Sequence, residues 1–440
     1  MARNHSQEDA VRDRCFELLK ATSLYDGRRK HHTFLGKVYG SNLLMLQWDH
    51  DPMVAAAGAL VKLIPSISEK AATTELRSLI VRCFEATYVD ENADPDTPAD
   101  CIESLGVEIR ESGLVESEIA LAVDNLRAKI QDWQAFVFME GLEVTTPCEI
   151  GSLTLYDRRT GPLAEALERE EHTRLRDHLA ERLPAIEEHC HCYAVIEVQG
   201  ETNHACQMAT RAAANAANLL SLYLVPAWPR HLTFRDIGTI GHLRGPVCSL
   251  VILCATRSQD GRSRLKNSVS NNAEGLQYYL LSPKDISDLP ELGVEELASS
   301  LETVYDTSAA PTASAQRMAS AVTWYGRATR APSLPEAYIC LATALESLLY
   351  SEDKESIAQG LADRVAGLLG TTHEDRMGVA RRVKRLYAVR SRLVHSGISP
   401  SEVDVQWLFL TVRYAIIEFA RRETPAIASQ QTEVQYPSKQ

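Results

Sequence analysis

Long apolar runs are missing from the 440-residue chain. Its most apolar windows, such as Val247 to Ala255, are far shorter than the roughly 20 residues a membrane-spanning helix needs. The opening residues, MARNHSQEDAVRDRC, lack an apolar leader, so a cytoplasmic location is expected. CxxC pairs are missing as well. The 10 cysteines are scattered, which removes the usual signature of a zinc site or a dithiol redox centre. A chain this long needs no disulfides to fold, so buried, reduced thiols are expected. Neither a GxxxxGK[ST] loop nor a GxSxG elbow occurs, which leaves nucleotide-triphosphate hydrolysis and serine-hydrolase chemistry without support. Gly238-Thr239-Ile240-Gly241 with Gly245 has the wrong spacing for a dinucleotide fingerprint. No cofactor is expected.

What remains is an ordinary globular composition, 45% hydrophobic and 24% charged, long enough for two or three domains. The net charge of −13 argues against a protein that coats nucleic acid non-specifically. The charge is uneven, however. From Ala315 to Thr424 there are 15 Lys and Arg against 12 Asp and Glu, leaving 31 against 47 elsewhere. A polyanion would be met at the C-terminal end.

Periodicity divides the chain into segments. Residues 1–135 read as mostly helical, with Ala10 to Thr22, Met53 to Leu63, Thr73 to Ala86 and Glu116 to Trp133 showing three- and four-residue apolar spacing. DENADPDTPAD, Asp90 to Asp100, reads as a loop. Residues 136–300 read as α+β: short strands in AFVFMEGLEV, IGSLTLYD, CYAVIEVQG and VCSLVILCA, with helices at Leu163 to Glu188 and Asn203 to Tyr223. Residues 301–425 read as an all-α bundle, with helices at Ala315 to Thr329, Leu334 to Tyr350, Ser356 to Leu369, His373 to His395 and Ser401 to Arg422, broken at Pro332, Gly370, Gly397 and Pro400. A flexible tail, 426–440, closes the chain. The expected fold class is therefore multidomain: an α+β N-terminal portion followed by a C-terminal helical bundle.

The chemistry is sought first in RRVKRLYAVRSRLVHSG, Arg381 to Gly397. On a helical wheel Arg390 falls among Val379, Val383, Leu386, Tyr387, Leu393 and Val394, in the middle of an apolar face. A guanidinium there keeps its charge and needs an anion or several acceptors. His395, five residues on, sits in the last helical turn, where the dipole favours its protonated form. Together they could cleave an RNA phosphodiester without metal. The imidazole would move the proton of the 2′-hydroxyl or the leaving oxygen, and the guanidinium would hold charge on the phosphorane. In an ideal helix the two residues are about 140° apart in azimuth and about 7.5 Å apart along the axis. Convergence therefore needs a stretched Arg390, a loosened helix end or a second copy of the chain. On spacing alone the simpler reading is that Arg390 pairs with a carboxylate such as Glu346 or Asp363 and that His395 caps the helix. Arg381, Arg382, Lys384, Arg385 and Arg392 are candidate RNA contacts, or a solvated helix face.

Four blocks carry a family resemblance in order across this unit: Trp324-Tyr325-Gly326-Arg327-Ala328, Leu341 to Leu349, Leu361 to Leu369, and Leu386 to Gly397. The unit resembles a HEPN domain of the Apea-like branch. The resemblance implies a helical bundle that pairs head to head, with the Arg-x4–6-His segments of two protomers forming a metal-independent ribonuclease site. It implies Arg390 and His395 as catalytic residues and Glu346 as an acidic residue that orients the arginine. Ser391, a supporting residue in this reading, stands where the family usually has a polar residue, often Asn, Asp or His, and Ser396 separates His395 from Gly397. Met139-Glu140-Gly141-Leu142 with Ile150 to Thr154 resembles the segment preceding such domains, which would sense a trigger or restrain the nuclease. The expected activity is endoribonuclease action on RNA, with tRNA among the candidates, in antiviral defence, abortive infection or toxicity, and the expected partner is a second copy. The rival expectation is a non-catalytic nucleotide-binding or dimerisation module.

No metal is expected. His189-Cys190-His191-Cys192 leads into a strand, where alternate residues face opposite sides, and it has no second ligand pair. His31-His32 and Asp49-His50-Asp51 read as loop residues.

Overall fold

Strands appear earlier than the helical reading of residues 1–135 foresees. The computed structural model describes residues 2–24, 33–39, 42–48, 50–91, 114–168, 177, 190–224, 238–239, 251–255, 265–266, 279–281, 283–289, 294–302, 304, 311–349 and 357–423. They fall into two compact units, Met1–Trp133 with Gln199–Gln207, and Gln134–Val198 with Met208–Gln440.

In the first unit, α1 (Ala2–Lys20) leads into a three-stranded antiparallel sheet of β1 (Ser23–Leu24), β2 (Thr33–Tyr39) and β3 (Asn42–Trp48). Tyr39 pairs with Asn42, which leaves two residues, Gly40 and Ser41, to connect the strands. This strand pair replaces the helical character expected for that stretch of residues 1–135. Then follow α2 (His50–Leu63), α3 (Glu69–Glu91) and α4 (Leu114–Arg127). His50 and Asp51 open α2 and are not loop residues; Asp51 complements the positive end of the helix dipole. His31, His32 and Asp49 lie outside the described residues, as do residues 92–113, where the DENADPDTPAD loop was expected.

The helices bury Leu18, Trp48, Leu60, Ile67, Leu76 and Phe84 in one core. Beside it, the Glu75 carboxylate accepts from Asn125 Nδ2 at 3.0 Å and Lys129 Nζ at 2.9 Å, with Arg82 Nη1 at 3.4 Å. Burial pushes this carboxyl up, but those hydrogen bonds and the charges of Lys129 and Arg82 outweigh it and hold it below the usual range. Residues 199–207 join the unit through Glu201. Its backbone N–H donates to Ser66 O at 2.8 Å, and its carboxylate accepts from Ser68 Oγ at 2.8 Å. Ser68 Oγ in turn accepts from the Ala71 N–H at 3.1 Å, capping α3.

The second unit holds the larger sheet. Its strands are β4 (Gln131–Glu140), β6 (Cys148–Ile150), β7 (Leu153–Asp157), β8 (Cys192–Gly200), β9 (Gly238–Thr239), β10 (Val251–Ala255) and β11 (Leu265–Lys266), in the order β11-β10-β4-β8-β7-β6 with β9 against β4. Trp133 belongs to β4, so the helix expected to reach it ends at Arg127. β5 (Leu142–Val144) pairs in parallel with β12 (Tyr279–Leu281). Gly141 and Gly151, with φ of 74° and 58°, make the breaks between β4 and β5 and between β6 and β7. The sheet core gathers Phe136, Phe138 and Tyr193, with ring centroids about 6 Å apart. Helices α5 (Pro162–Glu168), α6 (Thr202–Leu224), α7 (Pro283–Asp288) and α8 (Val294–Glu302) complete this part. The charged helix expected over Leu163 to Glu188 is described only to Glu168 and at Asp177.

The C-terminal region is helical, with α9 (Ala313–Thr329), α10 (Leu334–Leu349), α11 (Ile357–Leu369), α12 (His373–Ser396) and α13 (Glu402–Glu423). These ends match the expected ones to within two residues, because the punctuation is strong. Arginines close several helix C-termini: Arg364 Nη1 donates to Leu349 O at 2.8 Å, and Arg422 Nη2 to Leu368 O at 2.7 Å. The Trp324 to Ala328 block is structural. Tyr325 is fully buried edge-on against Phe409 at 4.9 Å, Arg327 lies 4.6 Å over Trp324, and Gly326 admits the side chain of Asn218 from α6. No described helix is long and apolar enough to cross a membrane.

Candidate active site

The helix α12 carries both proposed catalytic residues, and its ends are tightly specified. Thr372 caps its N-terminus in a reciprocal box with Asp375, and Gly397 ends it in the left-handed conformation, φ 66°, with its N–H on Leu393 O at 3.0 Å. Val383, Leu386 and Val389 are its fully buried residues. Tyr338 of α10 pins it by donating from its hydroxyl to Leu386 O at 2.6 Å. Burial pushes that phenol well above its ordinary range.

The buried stripe is centred about 40° from Arg390 on the helical wheel, on the Leu386 side. Arg390 is therefore at the edge of the packed face and not in its middle as the wheel suggested. Its side chain is 31% exposed. The wheel misled because Val394, on the far side of Arg390, is 50% exposed. Glu346 of α10 meets Arg390 there, with Oε1 3.6 Å from Nε. The same oxygen accepts from Tyr387 Oη at 2.8 Å, and the guanidinium carbon lies 5.6 Å from the Tyr387 ring centre. Asp363, the other proposed partner, is exposed and accepts from Gln359 Nε2 at 2.6 Å. Tyr387 is thus a member of the site that the sequence reading placed only on the apolar face. A phenol one helical turn before the arginine was the available signal.

His395 is exposed in the last turn, as is Ser391. The helix runs unbroken through Ser396, so its end does not loosen to turn His395 toward Arg390. On the wheel His395 shares the solvent side with Arg381, Lys384, Arg385 and Arg392, all exposed. Arg385 Nη2 approaches Asp404 Oδ1 at 3.9 Å. Arg382 leaves this side, its guanidinium lying 3.8 Å over the ring of Trp407 on α13. Around the C-terminal end of α12, Val394, Ile398 and Val403 are 50%, 55% and 56% exposed.

The other clusters are scattered. Cys190 and Cys192 are buried and His191 is half-buried, while His189 lies outside the described residues. Burial and then Arg158 hold the His191 imidazole below its ordinary range. Among the described residues no three His, Cys, Asp or Glu side chains are grouped to hold a metal ion. Gly238 and Thr239 form β9, whereas Gly241 and Gly245 lie outside the described residues.

Comparison with family models, with curated proteins and with solved structures found no match to this chain.

Proposed function

We propose that the protein is a metal-independent endoribonuclease of the HEPN type, acting as a homodimer through its C-terminal bundle. One observation carries this reading: Arg390, paired with Glu346 beside Tyr387 and only partly buried, lies one helical turn before the exposed Val394, and the segment that follows exposes Ile398 and Val403 as well. A charged group kept in place at the border of an apolar surface suits a site that is completed by another molecule. Since one straight helix holds Arg390 and His395 on different sides, the guanidinium of one copy would work with the imidazole of the other. His395 would take the proton of the 2′-hydroxyl as that oxygen attacks phosphorus. The bond to the 5′-oxygen would break as His395 hands that proton on to it, leaving a 2′,3′-cyclic phosphate, a 5′-hydroxyl and a neutral imidazole. Arg390 would hold the charge on the phosphorane. Ser391 would play a supporting part, and the exposed cations Arg381, Lys384, Arg385 and Arg392 would meet the RNA backbone. The remainder of the chain would restrain or trigger the nuclease.

Total RNA and tRNA incubated with the full chain, with and without chelator, test this directly. Wild type should cleave in both conditions, and Arg390→Ala and His395→Ala should lose cleavage by at least a hundredfold. Equal cleavage by all three proteins would overturn the assignment. The second reading, a non-catalytic dimerisation or nucleotide-binding module, draws on the fact that Glu346 already partners Arg390. It predicts dimers that leave RNA intact.

A further inference from the structure

A cleft of about 530 Å3 opens between the end of α11, the first half of α12 and α13. Its size is that of a small-molecule or nucleotide site. Trp407 and Tyr414 line one wall, and Met377, Gly378, Arg381 and Arg382 line the other. Glycine inside a helix is destabilising relative to alanine, yet a Cβ on Gly378 would meet nothing within 4 Å. Met377 is 53% exposed beside it. The guanidinium of Arg382, 3.8 Å from the Trp407 ring, makes a two-layer platform of aromatic and cationic planes. Neither Arg381 nor Arg382 pairs with a carboxylate among the described residues. The lining contributed by the first turn of α12 is acidic, with Glu374 and Asp375. The Asp375 carboxylate is occupied by the hydroxyls of Thr371 and Thr372, each at 2.8 Å.

We propose that this cleft receives one unpaired base of a single-stranded RNA. The base stacks on the Arg382–Trp407 platform over Gly378, and its phosphate lies on the Arg381 side, away from Glu374. The assignment rests on the ribonuclease reading for its substrate class and adds a subsite to it. Arg382 and His395 are 13 residues apart on one continuous helix, about 20 Å along its axis, so the cleft is separate from the proposed cleavage centre. A duplex, whose bases are stacked and paired, has no face to offer here, so the enzyme selects unpaired RNA.

The test uses the full-length His395→Ala protein, which separates binding from cleavage, and a short fluorescent oligouridylate read by anisotropy. Trp407→Ala removes the platform. Gly378→Leu fills the cleft without removing a contact, so it serves if the first variant fails to fold. Each should weaken binding by about five- to a hundredfold, the range for losing one base–aromatic stack. Folded variants that bind as the parent does would overturn the subsite, as would equal affinity for a duplex of the same length. Competition by uridine monophosphate at matching concentration would also overturn it, by showing a site for free nucleotide. Cleavage by wild type is measured separately. Lost binding in a protein that cuts no RNA would leave the subsite and remove the ribonuclease, and unchanged binding with intact cleavage would do the reverse.

Discussion

Replacing Glu346 by alanine should loosen the proposed site more than it loosens the fold. The carboxylate accepts one hydrogen bond, from Tyr387 Oη at 2.8 Å, and pairs with Arg390 Nε at 3.6 Å. A hydrogen bond to a charged acceptor contributes about 1.5 kcal/mol, and less where water competes. The ion pair, with its partners 31% and 24% exposed, adds no more than about 1 kcal/mol. The expected stability loss is therefore about 2 kcal/mol, a fall of a few degrees in melting temperature for a unit of this size. Tyr387→Phe removes the hydrogen bond alone and should cost about 1 kcal/mol. Because the two changes share one bond, the double variant should be less destabilised than the sum by about 1 kcal/mol. Catalysis should suffer more, since a freed Arg390 loses its aim: misplacement by about 1 Å can cost a hundredfold in rate. The assay is a thermal melt and RNA cleavage on all four proteins of the cycle. Glu346→Ala with unchanged melting and unchanged cleavage would refute the claim that this carboxylate orients the arginine.

Other expectations follow from packing and ionisation. Gly326→Ala would drive a Cβ into the buried Asn218 side chain, whose Oδ1 accepts from Arg330 Nη2 at 2.7 Å, so overpacking and the lost bond should destabilise by about 2–4 kcal/mol. Truncation by Asn218→Ala should recover part of that loss in a melt. Glu75 and Glu201 both have carboxyls held below their ordinary range, burial being outweighed by hydrogen bonds. A lowered folded pKa gives stability that is full above the unfolded value of about 4.5 and lost as pH falls through the folded value. Acid titration should therefore unfold the first unit below about pH 4.5, seen in Trp48 and Trp133 fluorescence, and Glu201→Gln should flatten that limb. Burial pushes the Cys15 and Cys83 thiols up to about 12, so a thiol reagent near neutral pH should reach the half-buried Cys206 before either of them, and those two only after denaturation.

The C-terminal helices were readable because their punctuation is local. Thr372 with Asp375, and Gly397, set the ends of α12 whatever packs against it. The β2–β3 hairpin was missed because Leu43, Leu44 and Leu46 read equally well as helix formers, and only the Gly40-Ser41 turn separates the two readings. Arg390 and Glu346 were named from the sequence, and their contact is in the structure. What spacing could not supply is which neighbours a helix acquires. A wheel treats every apolar residue as buried, whereas Val394 is 50% exposed, and that moves Arg390 from the middle of a face to its border. The stacking of Arg382 on Trp407 depends on how α12 meets α13, which no local pattern encodes.

The central claim is that a guanidinium and an imidazole from two copies cut RNA together. Mixing purified Arg390→Ala and His395→Ala proteins, each inactive alone, tests it most directly in the presence of chelator. Subunit exchange should restore measurable cleavage, because the mixed dimer unites an intact Arg390 with an intact His395 across the interface. A mixture that stays inert while wild type cleaves, or a wild type that leaves RNA whole, would contradict the account.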